Sequence, residues 1–151
     1  MDGGMKRIIL FLIILFAVSQ SASPQLFRRN INQFKNSLRN GLWITYNDTT
    51  RKQVEQKGRF KAGREIGTWK YFSDNGTIRK KEKFRKNKIL TTTYYPEGMK
   101  ESSGTALITE EGDELHYYYT GTWKFFRKSG EIDKIVVYDK GKEISSTLVA
   151  R

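Results

Sequence analysis

The sequence predicts an all-β fold of successive antiparallel β-hairpins, preceded by a cleavable signal peptide. Two observations predict the sheet: a repeated Gly-x-Trp motif, and polar turns followed by alternating apolar and polar residues. Each of the three Trp residues lies two positions after a Gly and three before an aromatic residue. The three copies of the motif are Gly41-Leu42-Trp43, Gly67-Thr68-Trp69 and Gly121-Thr122-Trp123.

The spacing of these copies predicts a repeat array. Gly41 and Gly67 are 26 residues apart, and Gly67 and Gly121 are 54 apart, about twice as far. A period of this size is typical of supersecondary units that bury their apolar faces only against one another. We therefore expect a repeat domain over residues 41–144, with four units at 41–66, 67–90, 91–120 and 121–144. The third is degenerate, with Gly104-Thr105-Ala106 interpreted as a copy in which Ala replaces Trp.

Each unit is predicted to be a β-hairpin. A short aromatic run is followed by a polar turn that ends in Gly, at Ser73–Gly76 and again at Arg127–Gly130. Asn75-Gly76 is a strong hairpin signal, because Gly adopts positive φ at little steric cost. Residues 145–151 carry no repeat pattern and are expected to fray as a tail, although Thr147–Val149 could extend the last strand.

The pattern resembles the bacterial variant of the MORN repeat (membrane occupation and recognition nexus). Gly-x-Trp is followed by an aromatic residue, a Gly turn and then an aromatic-x-x-Gly-Lys sequence, as in Tyr138–Lys142. The resemblance covers residues 40–144. It implies a twisted, single-layer antiparallel sheet of successive β-hairpins, whose Trp residues and partner aromatics form the line of packing between units. Bacterial chains of this kind are often labelled antitoxin components, which the resemblance implies only loosely.

The N-terminus has the parts of a secretory signal peptide. Met5–Arg7 is a positively charged start, Ile8–Val18 is an apolar run of 11 residues, and Ala17–Ser19 supplies small residues for cleavage. We expect a signal peptide at residues 1–19, with cleavage as late as residue 23 as the alternative. The chain has no Cys, which excludes a lipoprotein anchor and disulfides. The expected location is the periplasm or the exterior of a bacterium.

The expected mature protein is strongly basic. Removal of residues 1–19 leaves 26 basic and 15 acidic side chains, a net charge of +11. Residues 20–40 form a polar, basic lead-in with apolar residues at roughly helical spacing, which predicts either a short helix or a flexible linker. Those apolar residues are Leu26, Phe27, Ile31, Phe34 and Leu38.

The densest basic stretch is the candidate binding surface. If residues 79–85 form a strand, four cations share one face, namely Arg79, Lys81, Lys83 and Arg85. Such a ribbon suits a protein partner or an anionic envelope surface, either lipid or glycan, while nucleic acid is not expected to meet an exported protein. The alternative is a solvated strand whose lysines discourage edge pairing.

The aromatic residues are predicted to divide between core and surface. Repeated rings at repeated positions are first of all the core of a thin sheet, because each buries about 150–250 Å². The predicted repeat core is Trp43, Trp69, Phe72, Trp123 and Phe126. Tyr71 and Phe125 lie one residue away on the other side of the pleat, and are candidate exposed aromatics that could stack on a ligand.

The sequence carries no catalytic, cofactor or metal motif. The acidic segment Glu110–Glu114 lacks the ligand alternation of a calcium loop and is interpreted as a polar turn, and His116 as an ordinary strand residue. The expected function is therefore a non-enzymatic, exported binding module that presents a basic, aromatic surface. Two alternatives are an antitoxin-like or immunity-like protein that binds a toxin directly, and an enzyme acting on envelope polysaccharide.

Overall fold

The described part of the chain is one open antiparallel sheet. The structure is a computed structural model that describes residues 30–112 and 114–150, so the predicted signal peptide lies outside the described residues. Ten strands follow one another in sequence order, and no helix occurs in the described ranges. The strands are β1 (Gln33–Lys35), β2 (Leu38–Tyr46), β3 (Val54–Lys61), β4 (Arg64–Phe72), β5 (Ile78–Phe84), β6 (Ile89–Tyr94), β7 (Lys100–Glu111), β8 (Glu114–Phe126), β9 (Ile132–Asp139) and β10 (Lys142–Leu148). The predicted all-β architecture of successive hairpins is confirmed.

Three hairpins close with the same four-residue turn. The N–H of the closing glycine donates to the carbonyl of the first turn residue, over 2.8 Å from Gly76 to Ser73, 2.8 Å from Gly98 to Tyr95 and 2.9 Å from Gly130 to Arg127. All three glycines have φ between 80° and 92°. A residue with a Cβ is strained at such φ values, which explains Gly at this position.

The Gly-x-Trp motifs occupy one recurring register. Gly41 pairs with Phe60, Gly67 with Phe84 and Gly121 with Tyr138, so a left-handed glycine lies opposite an aromatic residue each time. The Trp residues pair with Gly58, Glu82 and Val136, respectively. Cross-strand partners point to the same side of a sheet. The side that carries Trp69, Trp123 and their partners is called the Trp face below.

Glycine on the preceding strand makes room for two of the Trp rings. A Cβ on Gly58 would lie 2.1 Å from Trp69, and a Cβ on Gly104 would lie 2.3 Å from Trp123. Trp69 is 3% exposed and Trp123 is 0% exposed, although the protein has only one layer. Each ring is therefore buried by lying flat against the backbone of its neighbouring hairpin.

The third unit differs from the sequence interpretation. Gly104 does not start a copy of the motif: it lies beneath Trp123, as Gly58 lies beneath Trp69. Trp69 and Trp123 each lie seven residues before the glycine that closes their turn. In the third hairpin, the residue seven positions before Gly98 is Thr91. Thr91 pairs with both Glu82 and Gly104. The Trp position is thus taken by Thr91, and the prediction that Ala106 replaces Trp is wrong.

The two ends of the domain are strands rather than a helix and a frayed tail. The helix considered for residues 20–40 is absent from its described portion, where Asn36 and Ser37 take φ of 52° and 60° and turn β1 into β2. Phe34 packs edge-on against Trp43 with centroids 5.3 Å apart, which holds β1 in place. At the other end, β10 continues to Leu148, because its backbone pairs with β9 as far as Lys134.

Candidate anion-binding face

The face opposite the Trp face carries a row of polar side chains that crosses six strands. Lys57, Lys70 and Lys81 are directly opposed on β3, β4 and β5. The same register continues through β6 and β7 to β8. We call this set the transverse row, and the side that carries it the lysine face; its members are Lys57, Lys70, Lys81, Thr92, Ser103 and Lys124.

The row is electrostatically unfavourable for the protein alone. Like charges directly opposed on neighbouring strands destabilise a sheet. Within residues 30–112 and 114–150 none of the four lysines of the row forms an ion pair. A bound anion would remove this repulsion.

Aromatic rings flank the row on one side. The residue three positions after each Trp position lies on the lysine face, and a lysine ammonium lies over several of these rings. The distance from Nζ to the ring centroid is 5.1 Å from Lys57 to Phe72 and 4.9 Å from Lys81 to Tyr94. Such contacts contribute about 0.5–1 kcal/mol at exposed sites and hold the ammonium groups in place. The flanking rings are Tyr46, Phe72, Tyr94 and Phe126.

The four predicted cations do not form a uniform ribbon along β5. Lys81 and Lys83 lie on the lysine face, opposite Lys70 and Thr68. The strand is bulged at Arg79, whose Nε donates to the carbonyl of Phe72 over 3.2 Å. Arg85 follows the end of the strand and its backbone enters a turn with Lys88. Two of the four cations thus share the regular pleat.

The sequence interpretation missed the lysines on the other strands. Lys70 and Lys124 each follow a Trp immediately, and Lys57 precedes the glycine beneath Trp69. These are repeat positions, so the aligned units already contained the signal. Only the register shows that they form one line.

The expected assignment of aromatic residues to core and surface is corrected. Side chains two positions apart share a face, so Tyr71 and Phe125 lie on the Trp face, two residues after Trp69 and Trp123. Phe72 lies instead on the lysine face, as does Phe126, whose ring is 5.0 Å from Lys100 Nζ. Both Phe residues are half-buried. Each Phe lies three residues after its Trp, an odd number, so the alternation of the pleat places the two side chains on opposite faces.

The half-buried Trp43 belongs to a chain of rings on the Trp face. It meets Phe34 and, at a centroid distance of 5.5 Å, Phe60. Phe60 then meets Trp69 at 4.9 Å. A second cluster contains Trp123, stacked on Tyr119 at 3.7 Å.

A buried carboxylate separates the two aromatic clusters. Glu82 is 3% exposed and accepts hydrogen bonds from Tyr71 (2.7 Å), Tyr117 (2.9 Å) and the ammonium of Lys80 (2.9 Å). Burial raises the pKa of the Tyr71 hydroxyl well above its usual range, and the hydrogen bond to Glu82 acts in the same direction. Burial likewise raises the pKa of Tyr117. The network satisfies Glu82 internally, so we interpret it as structural.

Other features give little sign of chemistry. Within the described ranges, no group of three or more His, Asp or Glu side chains could hold a metal ion, and no helix could cross a membrane. His116 is 3.6 Å from the exposed Glu114. A groove of about 360 Å³ lies between the β5–β6 turn and the β7–β8 hairpin, with Arg85, Ile108 and Leu115 on its walls.

Comparison with models of known protein families, with curated proteins and with solved structures gives no match to this chain.

Proposed function

We propose that the protein is a non-enzymatic binding module whose lysine face contacts an anionic partner. One observation carries the proposal: three lysines are directly opposed on three consecutive strands, and none of them has an acidic partner in the described part of the chain. Solubility requires only scattered charge, which costs less than a line of opposed cations. Complementarity to an anionic surface accounts for the arrangement.

The two faces of the sheet support a division of roles. The side chains that are buried lie on the Trp face, so charge on the lysine face does not compete with the core. The net charge, +12 for the whole chain and +11 after removal of residues 1–19, strengthens attraction at long range. Release of counterions from the anionic partner then favours binding, and makes it sensitive to salt.

We also propose that the chain is a MORN-like repeat protein that is exported. The recurring register of Gly41, Gly67 and Gly121 with aromatic partners supports the first part. The second part is supported by the charged start and apolar run at residues 5–18. Detection of a shortened chain in the periplasm or medium, with a new N-terminus between residues 20 and 24, is the expected result. A full-length cytoplasmic chain would contradict export.

Binding to charged and neutral probes of the same kind tests the function. We expect the protein to bind dextran sulfate or phosphatidylglycerol vesicles, and to bind neutral dextran and phosphatidylcholine vesicles much more weakly. Binding should weaken steeply between about 50 and 200 mM salt, since each neutralised anion contributes to the salt dependence.

A variant locates the contact on the lysine face. Lys70→Ser with Lys81→Ser and Lys83→Ser removes three charges from the regular pleat of β4 and β5. The matched control is Lys35→Ser with Lys140→Ser and Lys142→Ser, which removes three charges from the ends of the sheet. Equal binding of charged and neutral probes, or equal loss in both variants, would contradict an anion-binding lysine face.

A further inference from the structure

We infer that the transverse row binds a linear acidic polysaccharide that lies across the strands; this inference rests on the proposed function. The row runs in single file through five strand intervals, from Lys57 on β3 to Lys124 on β8. At about 4.8 Å per interval its length is roughly 24 Å. A line of this shape fits an extended chain.

The chemistry along the row suits a charged sugar polymer. Three ammonium groups at one end and one at the other can pair with carboxylate or sulfate groups. Between them Thr92 and Ser103 offer hydroxyl groups that donate and accept hydrogen bonds. The half-buried rings of Phe72 and Tyr94 lie beside the row and provide apolar surface for the faces of sugar rings.

The twist of a sheet favours a flexible chain over a flat membrane. Neighbouring strands of a sheet are rotated by about 20–25° on average, so over five intervals we expect the direction of the side chains to turn by about 100–125°. Bulges in the pairing of β3 with β4 and of β7 with β8 increase that twist. A planar bilayer therefore cannot contact Lys57 and Lys124 at the same time, whereas a polymer can follow the row as it turns.

The row also predicts which cations do not contribute. Arg79 and Arg85 lie outside the regular pleat, and Lys83 lies one position along β5 from the row, opposite Thr68. These three residues were prominent in the sequence as part of the dense basic run. A polymer bound across the strands meets β5 only at Lys81.

Two triple variants of equal charge test the direction of binding. In the row variant, Lys57→Ser, Lys70→Ser and Lys124→Ser are combined; in the β5 variant, Arg79→Ser, Lys83→Ser and Arg85→Ser are combined, and Lys81 stays in both. Binding of dextran sulfate is measured by titration calorimetry at several salt concentrations, after circular dichroism has shown that both variants are folded. We expect the row variant to lose at least tenfold in affinity and the β5 variant less than threefold. The slope of log Kd against log salt should fall by about two to three for the row variant, because each contact contributes ~0.7–0.9.

The outcomes separate this inference from the proposed function. Equal losses in the two variants would overturn the transverse row while leaving an anion-binding face. Binding to phosphatidylglycerol vesicles but not to dextran sulfate would replace the polysaccharide by a membrane surface. Failure to bind either probe would overturn both. If a variant is unfolded, the single substitutions Lys57→Ser and Lys83→Ser are compared, with a larger loss for Lys57→Ser as the expected result.

Discussion

Gly104→Ala should destabilise the sheet because the added methyl group meets the ring of Trp123. The new Cβ would lie 2.3 Å from Cδ2 and 2.4 Å from Cγ and Cε2 of that ring. Carbon atoms in contact prefer about 3.5–4.0 Å, so ring and backbone must separate by roughly 1.2 Å. Gly104 itself does not have a positive φ, so the substitution tests packing without backbone strain.

The ring has little room to move. It is fully buried, it is stacked on Tyr119 at 3.7 Å, and its Nε1–H donates to the carbonyl of Thr105 over 2.9 Å. Overpacking a core costs about 1–3 kcal/mol, and truncation of a buried Trp costs about 3–5 kcal/mol. We expect Gly104→Ala to lower the free energy of unfolding by about 3 kcal/mol, which is the upper end of the cost of overpacking and the lower end of the cost of losing a buried Trp ring.

Urea unfolding followed by far-UV circular dichroism measures this loss, and a double-mutant cycle identifies its cause. When Trp123→Ala has already removed the ring, Gly104→Ala should cost nothing, or stabilise by about 0.5–1 kcal/mol because Ala restricts the unfolded chain more than Gly. The expected coupling is at least ~2 kcal/mol. Additive effects of the two substitutions would refute the packing of Trp123 against Gly104.

Three further predictions concern the polar contacts of the sheet. Glu82→Gln should lower the free energy of unfolding by about 1–3 kcal/mol, because the amide cannot accept the hydrogen bonds of Tyr71 and Tyr117 as a carboxylate does; an unchanged urea midpoint would contradict the network. Because the pKa of Tyr71 is raised in the folded protein, its contribution to stability is full below about pH 10, the ordinary pKa of tyrosine, and is lost above it as the tyrosine of the unfolded protein ionises. Tyr71→Phe should therefore flatten the decline of the urea midpoint that is measured up to about pH 11. An unaltered decline would show that other groups cause it. Asn32→Gly retains the positive φ but removes two hydrogen bonds to the backbone of Ile44, at 2.7 and 2.8 Å. We expect the free energy of unfolding to fall by about 1–2 kcal/mol, and light scattering to increase because the edge of β2 becomes exposed. Unchanged melting and scattering would show that Asn32 does not protect that edge.

The sequence was sufficient to predict the hairpins because their signals are local. Glycine with positive φ is needed at the turn positions Gly76 and Gly130, and the chain supplies it there. Alternation after each turn then defines the outgoing strand, as in Ile132–Asp139. Turn chemistry and pleat period depend on a few neighbouring residues, so they can be recognised in a single sequence.

The third hairpin could not be predicted in the same way. Glycine serves two functions in this sheet: Gly67 has positive φ within a Gly-x-Trp motif, whereas Gly104 leaves space for a ring of the next hairpin. Both residues are glycine, so the residue type alone does not separate the two roles. Their backbone conformation, the ring beside Gly104 and the pairing of Gly104 with Thr91 distinguish them, and all three appear only in the structure.

The candidate site was hidden for a related reason. Lys57, Lys70 and Lys81 are separated by 13 and 11 residues, so no window of the sequence shows a cluster. The run at residues 79–85 looked denser because it is contiguous, but the bulge at Arg79 and the end of the strand before Arg85 disperse it. Charge density along the chain is a poor guide to a surface that is formed across strands.

The packing of neighbouring hairpins explains how one face can carry so much charge. Where a hairpin has glycine opposite the Trp position, as at Gly58 and Gly104, the next hairpin provides Trp. Where a hairpin has Glu82 at this position, the next hairpin provides the small residue Thr91. Tyr71 and Tyr117 then donate hydrogen bonds to Glu82. Each of these junctions is thus filled on the Trp face, either by a Trp ring that lies on a glycine backbone or by a hydrogen-bonded carboxylate. Stability in such arrays is a sum over neighbouring units, so the opposite face need not contribute to it. The lysine face can then carry opposed cations at a cost in stability, which the proposed binding of an anionic chain would compensate.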